Sequence, residues 1–203
     1  VLPDPTTFAY SRPRIYRKYL EFIQIYGERN SGTNFLTKLV SDLAADPERV
    51  LGAYATRSDP VNRARLIGYK HYFPRLDRVA EYQDRTLFLV IYKNPYTWIR
   101  SMLAKPYHFR ASLEGKGIVD LPITKLFGVD IHGSAIPDVH PDTGENLTLF
   151  ELRHHKILKF ENLRTIATNV AYVNYEDLLV APTETLQKLV DSFPDLFRVQ
   201  TDG

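Results

Sequence analysis

Residues 27–34 read Gly-Glu-Arg-Asn-Ser-Gly-Thr-Asn, and here the chain concentrates groups that suit an anion. Gly27 and Gly32 permit tight backbone turns. Ser31, Thr33 and Asn34 add side-chain donors, and Arg29 adds charge. A helical pattern begins at Thr33, so the free N–H groups and positive dipole end of a helix are expected to point into the loop. The two glycines have the separation of the nucleotide-binding signature G-x-x-x-x-G-K-[ST], but Thr33 stands at the lysine position. An ordinary triphosphate-hydrolysing loop is therefore disfavoured. The plain structural alternative is a strand-to-helix turn with Ser31 or Thr33 as its cap.

A second candidate anion site lies at Lys93 and Ser101. Lys93 ends an apolar strand, at the sheet end where open α/β folds bind ligands. Ser101 falls on the next helix, and Pro95 and Trp98 set the turn and packing between them. The alternative is a solvated lysine and a surface serine. His71 is the candidate general base, because an imidazole titrates near operating pH; a packed structural histidine is the alternative. Glu28 is a reserve base. His108, His132 and His140 match no compact metal site, which leaves solvated or acceptor-binding roles. Of His154 and His155, on a predicted helix, one is expected to face solvent and the other to pack. Glu176 and Asp177 are expected to cap a turn or order a loop.

The elements that must position these residues alternate between strand and helix. Phe22–Tyr26, Leu66–Phe73, Thr86–Tyr92 and Val170–Asn174 read as strands. Thr86–Tyr92 is apolar on both faces, as a central parallel strand should be. Thr33–Leu43 has Phe35, Leu36, Leu39, Val40 and Leu43 on one side. Helices are also predicted from Pro95 to about Ala104, from near Thr148 to about Ala167, and over Thr183–Phe193. Val1 to Arg14 reads as an extended lead-in. Residues 105–146 show no clear period. The pattern predicts one α/β domain over residues 1–203, a parallel sheet flanked by helices on both faces.

Composition narrows the function. The chain has 203 residues, 44% hydrophobic and 25% charged, with a net charge of +2. That excess is too small for a nucleic-acid surface but is enough for a small anionic ligand. Cysteine is absent, so disulfides and cysteine-ligated zinc are excluded, and a cytoplasmic location is the natural expectation. No apolar run approaches the ~20 residues of a membrane span. A targeting segment or anchor preceding Val1, and with it a Golgi or membrane-attached context, stays open. Asn146-Leu147-Thr148 matches a glycosylation sequon and is read as chance.

Four segments, in order, resemble the motifs of the sulfotransferase family. Asn30-Ser31-Gly32-Thr33-Asn34-Phe35 resembles the family's [KR]-S-G-T-[TN]-[FWL] loop for the 5′-phosphosulfate. Tyr69-Lys70-His71-Tyr72-Phe73-Pro74 stands where the family often has a strand ending in a catalytic histidine, roughly K-x-H-x-P. Lys93-Asn94-Pro95 followed by Ser101 resembles R-N-P-x-D-x-x-x-S, the 3′-phosphate site. Val173-Asn174-Tyr175-Glu176-Asp177-Leu178 resembles a strand-end Y-E-D-L. The resemblance covers Phe22 to Ala104 and Asn169 to Phe193. Three features depart from the pattern. Asn30 replaces the loop's cation, which Arg29 is then expected to supply. Lys93 replaces arginine, a point charge in place of a fork. Lys70 adjoins His71, so on a regular strand the two would point to opposite faces. The family's further basic loop after the last helix has no clear equivalent in Arg198–Gly203.

The resemblance implies a P-loop-like sulfotransferase architecture that uses 3′-phosphoadenosine 5′-phosphosulfate and requires no metal. Arg29, Asn30, Ser31, Gly32, Thr33, Asn34, Lys93 and Ser101 would hold that nucleotide. Catalysis would fall to His71 as base, with Arg29 and Lys70 meeting charge on the leaving phosphate. Residues 105–146 would form an acceptor-side insertion for a small-molecule, saccharide or lipid acceptor. Two other readings compete: a P-loop kinase, which needs a loop lysine and a carboxylate for Mg²⁺, and a non-catalytic nucleotide-binding module of the same fold.

Overall fold

In a computed structural model that describes residues 20–51, 67–129, 133, 135–136 and 138–197, four parallel strands form a sheet in the order β2-β1-β3-β4. These are β1 (Phe22–Gly27), β2 (Val50–Leu51), β3 (Thr86–Tyr92) and β4 (Asn169–Asn174). β3 is central and buried from Thr86 to Ile91, which is why it reads as continuously apolar. Its pairing runs from Phe22↔Thr86 to Gly27↔Ile91 on one side and from Leu87↔Asn169 to Tyr92↔Asn174 on the other. This register brings Gly27, Tyr92 and Asn174, and the loops that follow them, to the same end of the sheet.

Alternating strand residues face two helical layers. Ile23, Ile25, Leu89 and Val173 pack against α1 (Thr33–Leu43) and α7 (Pro182–Ser192). Tyr26, Phe88, Val90 and Val170 pack against α2 (Leu76–Tyr82) and α5 (Leu149–Ile166). Helices thus cover both faces, as the alternation of elements predicted. α1 buries Leu36 and Val40, one turn apart, whereas Phe35 turns away from the core and stays 38% exposed. α3 (Pro95–Ala104) starts at a proline preceded by Asn94, whose side chain accepts from the Tyr96 N–H. α5 opens with a capping box in which Thr148 and Glu151 each accept the other's N–H. Two short helices complete the set, α4 (Arg110–Leu113) and α6 (Tyr175–Val180). The stretch 105–146 is less irregular than expected. It contributes α4 and two 3₁₀ turns, and its Phe109, Leu113 and Leu121 share a core with Trp98, Met102 and Leu152.

One predicted strand does not form. Leu66 lies outside the described residues, and Ile67–Phe73 is a turn segment running beside β1. Gly68 takes φ +145°, which side-chain-bearing residues rarely adopt, and Tyr72 N–H donates to Tyr69 O to close a turn through Lys70 and His71. The segment still covers the edge of β1 beyond the short β2. Gly27 N–H donates to Lys70 O at 3.0 Å, and Gln24 Nε2 donates to Gly68 O at 3.2 Å. His132, the lead-in before Arg14 and Arg198–Gly203 also lie outside the described residues.

Gly27 is the pivot between sheet and loop. A Cβ there would sit 2.7 Å from Ile91 Cγ2, 2.7 Å from Ser31 Oγ and 2.8 Å from Thr33 Cγ2. Gly27→Ala should therefore destabilise the fold by ~1–3 kcal/mol, the usual cost of overpacking. Urea unfolding measures this directly, and an unchanged midpoint would contradict the close approach.

Candidate functional site

The loop after β1 is shaped from below. The Ser31 hydroxyl is wholly buried and donates to Glu28 O at 2.7 Å, so it braces the turn and does not line the cleft. Asn30 takes φ +62° and Gly32 φ +94°, and a Cβ on Gly32 would lie 2.2 Å from the Tyr175 ring. Gly32 is the N-cap of α1. No side chain caps that helix, and its first turn holds no acidic residue. The sequence alternative of a Ser31 or Thr33 cap is thus not realised. The positive dipole end of this 11-residue helix, with Gly32, Thr33 and Asn34, therefore lies at the cleft without a side-chain cap.

The cleft above this loop has a volume of about 750 Å³. Arg29, Asn30, Gly32, Thr33 and Asn34 line one part of it, Lys70 and His71 another, and Lys93, Ser101 and Tyr175 a third. Because Lys70 and His71 sit on a turn, they reach the same cleft, which a regular strand would have forbidden. Lys70 Nζ donates to Asn34 Oδ1 at 2.5 Å, and burial lowers its pKa to about 8. His71 Nδ1 lies 3.0 Å from Gly27 O. A carbonyl only accepts, so this contact assigns the ring proton to Nδ1 and leaves a lone pair on Nε2. Burial, then the Arg29 charge, hold the imidazole well below its ordinary pKa against the Gly27 hydrogen bond; Lys70 and Lys156 add to the lowering. The free protein therefore carries His71 in its neutral, basic form at neutral pH.

At the other end of the cleft, Lys93 Nζ donates to Ser101 Oγ at 2.8 Å and lies 4.6 Å from the centre of the Tyr175 ring. Ser101 in turn donates to Thr97 O, one turn back. Glu176 holds this corner together. Its carboxylate accepts from Asn94 N–H at 3.1 and 3.2 Å and from Thr97 Oγ1 at 2.9 Å. Asn30 does not project as a phosphate donor; its Nδ2 donates to Lys105 O at 2.9 Å and ties the loop to the end of α3.

Arg29 does not serve as a free cation either. It is 4% exposed, its guanidinium lies 2.9 Å from Asp138 Oδ2, and its carbonyl accepts from Trp98 Nε1 at 2.8 Å. It belongs to a buried charge cluster beneath the loop. Lys156 Nζ is 2.6 Å from Asp138 Oδ1 and donates to His71 O, also at 2.6 Å. Arg153 donates to Glu28 Oε2 at 2.6 Å and to Lys93 O at 2.8 Å, and its guanidinium stacks 4.5 Å from the Trp98 ring. Burial pushes the Glu28 carboxyl up to about 7, although Arg153 and Lys156 pull it down. Arg29, Arg153 and Lys156 outnumber Glu28 and Asp138 by one. With Lys70 and Lys93 at the walls, the site is electropositive in the sense that favours an anion.

Sequence reasoning missed Asp138, Arg153 and Lys156. α5 buries Leu149, Leu152, Arg153, Lys156, Phe160 and Leu163 along one stripe. Two cations inside an apolar helical period are a readable sign that a charged partner waits in the core. Of the other histidines, His108 lines the cleft and its Nδ1 is 2.8 Å from Val129 O. His140 and His155 have ring centres 4.6 Å apart, and His154 is exposed; none of these three lines the cleft. Compared with models of protein families, with characterised proteins and with solved structures, the chain gives no significant match.

Anion binding should depend on pH through Lys70. Its ammonium is present below about pH 8 and is lost above it. The affinity for inorganic pyrophosphate should therefore fall between pH 7 and 9, by up to about tenfold per unit once past the lysine's pKa. Lys70→Met should flatten that dependence in a calorimetric titration. An unchanged slope would remove Lys70 from the anion site.

Proposed function

We propose that the chain is a sulfotransferase with 3′-phosphoadenosine 5′-phosphosulfate as donor and a hydroxyl or amine as acceptor. The observation that carries this reading is the presence of two separate anion centres in one cleft. One is the uncapped start of α1 with Lys70, and the other is the Lys93–Ser101 pair. A ligand phosphorylated at both ends engages both centres, whereas a nucleoside diphosphate or triphosphate lacking a second phosphate site engages one. The loop also has Thr33 where a kinase carries lysine, which favours sulfuryl over phosphoryl transfer.

The residues fit this donor. The α1 N–H groups, Thr33, Asn34 and Lys70 would hold the 5′ side, and Lys93 and Ser101 the 3′-phosphate. When bound, the donor supplies the sulfuryl group, whose sulfur–oxygen bond to the phosphate breaks as the acceptor attacks. His71 Nε2 receives the acceptor's proton, and the hydrogen bond from Nδ1 to Gly27 O keeps the ring oriented. The charge left on the phosphate is met by the helix start and by Lys70. Ser31, Asn30 and Arg29 act at one remove, by shaping the loop and its field. The insertion at 105–146 supplies Tyr107 and His108 to the cleft and is the acceptor side in this account.

His71→Ala should lower kcat by ~10²–10⁴-fold, the usual contribution of a general base, with binding of 3′-phosphoadenosine 5′-phosphate unchanged. In the free protein the imidazole pKa is depressed, which sets the acid limb of kcat/KM below pH 6.5, unlike the climb through neutrality that a free histidine would give. Product nucleotide released against a panel of phenolic, saccharide and amine acceptors gives the readout. Nucleotide binding without turnover on any acceptor would favour a non-catalytic module, and a wild-type kcat for His71→Ala would move the base elsewhere.

A further inference from the structure

Lys156 is 2% exposed and does not line the cleft; burial lowers its pKa, while the Asp138 carboxylate beside it favours the ammonium. Burying an ammonium costs several kcal/mol unless its donors are satisfied. This one has two close oxygens, Asp138 Oδ1 and the main-chain carbonyl of His71, each at 2.6 Å, and it lies 5.6 Å from the centre of the Phe73 ring. Both the ring contact and the carbonyl belong to the turn that carries the imidazole. That turn is outside the sheet ladder, with one backbone bond to β1 and one within itself. It needs a further anchor to hold a side chain to catalytic tolerance.

We propose that Lys156 is the positioning residue for His71. Its ammonium, fixed by Asp138, holds the His71 carbonyl and so sets where the imidazole meets the cleft. The inference rests on the reading of His71 as the base. It adds a role for a residue outside the four family-like segments, and for Asp138, which joins the 105–146 stretch to the catalytic turn. The same charge acts on the ring. The groups that bear on His71 are Arg29 from the loop, Lys70 beside it and Lys156 from α5, all cations that disfavour the imidazolium. The neighbouring carboxylates are engaged, Glu28 by Arg153 and Asp138 by Arg29 and Lys156.

Lys156→Met keeps length and bulk but deletes the charge and the donors. Two readouts decide the matter. The first is the titration of the His71 imidazole by NMR, assigned by comparison with His71→Gln. It should move to higher pH in Lys156→Met, because a repelling cation is gone. The second is kinetic: kcat should fall by up to about 10²-fold, the effect of a misplaced catalytic group. The dissociation constant of 3′-phosphoadenosine 5′-phosphate should stay within about twofold, and Lys156→Arg should recover part of kcat. An unmoved His71 titration with unchanged kcat would overturn the proposal. If the wild-type protein transfers no sulfuryl group, the functional reading fails by itself, while the NMR titration still decides whether Lys156 governs His71. Should Lys156→Met fail to fold, Lys156→Gln, which removes the charge, keeps a donor and leaves Asp138 to Arg29, takes the same measurements. Loss of folding in both variants would count against the proposal, since the pair would then serve the whole fold and not the turn.

Discussion

Asp138 bonds two buried cations at once, Arg29 from the loop after β1 and Lys156 from α5, and the site hangs on that carboxylate. It is 2% exposed and links the loop after β1 and α5 to the stretch 105–146 in which it lies. Removing one partner from a buried ion pair typically costs ~3–5 kcal/mol, because the survivor is left charged and unsolvated. The loop and the turn cannot relax separately without breaking this contact. A fold whose sheet is held by apolar burial therefore has its functional end held by charge.

The cluster carries a desolvation cost. Among the described residues Glu28 Oε1, Asp138 Oδ1 and both terminal nitrogens of Arg29 make no hydrogen bond, although Arg29 Nε donates to Asp138 Oδ2 at 3.1 Å. Cations outnumber carboxylates beneath a helix start that already carries positive potential. In the proposed function a phosphate above the loop would meet this excess of positive charge without reorganisation. Burial first, and then the Arg29 charge, keep His71 neutral, so the cations beneath the loop add to what burial already does.

Most of the scaffold was legible because its elements obey simple periods. Thr33–Leu43, Pro95–Ala104 and Thr86–Tyr92 form as their spacing predicts, although Gly32 and not Ser31 or Thr33 caps the first. The turn at 67–73 was not legible, because Ile67, Tyr69, Tyr72 and Phe73 have strand-like composition. Gly68, with its φ of +145°, diverts them into a turn that decorates a strand edge. α2 was missed because it is short and largely charged on its outer face. Many of the cleft residues could be named from the sequence, since Gly32, Thr33 and Asn34 lie at a helix start and Lys93 at a strand end, whereas Lys70 and His71 reach the cleft from the turn read as a strand. The residues beneath them could not, because Arg29 and Asp138 are 109 positions apart and nothing local couples them. Asn30 and Ser31 illustrate the remaining gap: their types suit phosphate, yet their donors are turned to the protein's own carbonyls.

The proposed function turns on one cleft that holds both the start of α1 with Lys70 and the Lys93–Ser101 pair, as a nucleotide phosphorylated at both ends would require. Isothermal titration of the protein with 3′-phosphoadenosine 5′-phosphate and with adenosine 5′-diphosphate tests it most directly, because the two ligands differ in whether a 3′-phosphate is present. A charge-assisted hydrogen bond is worth ~1.5–3 kcal/mol, so the 3′-phosphorylated nucleotide should bind about tenfold more tightly or better. That advantage should vanish in Lys93→Ala. Equal affinity of the wild-type protein for the two nucleotides would contradict the account.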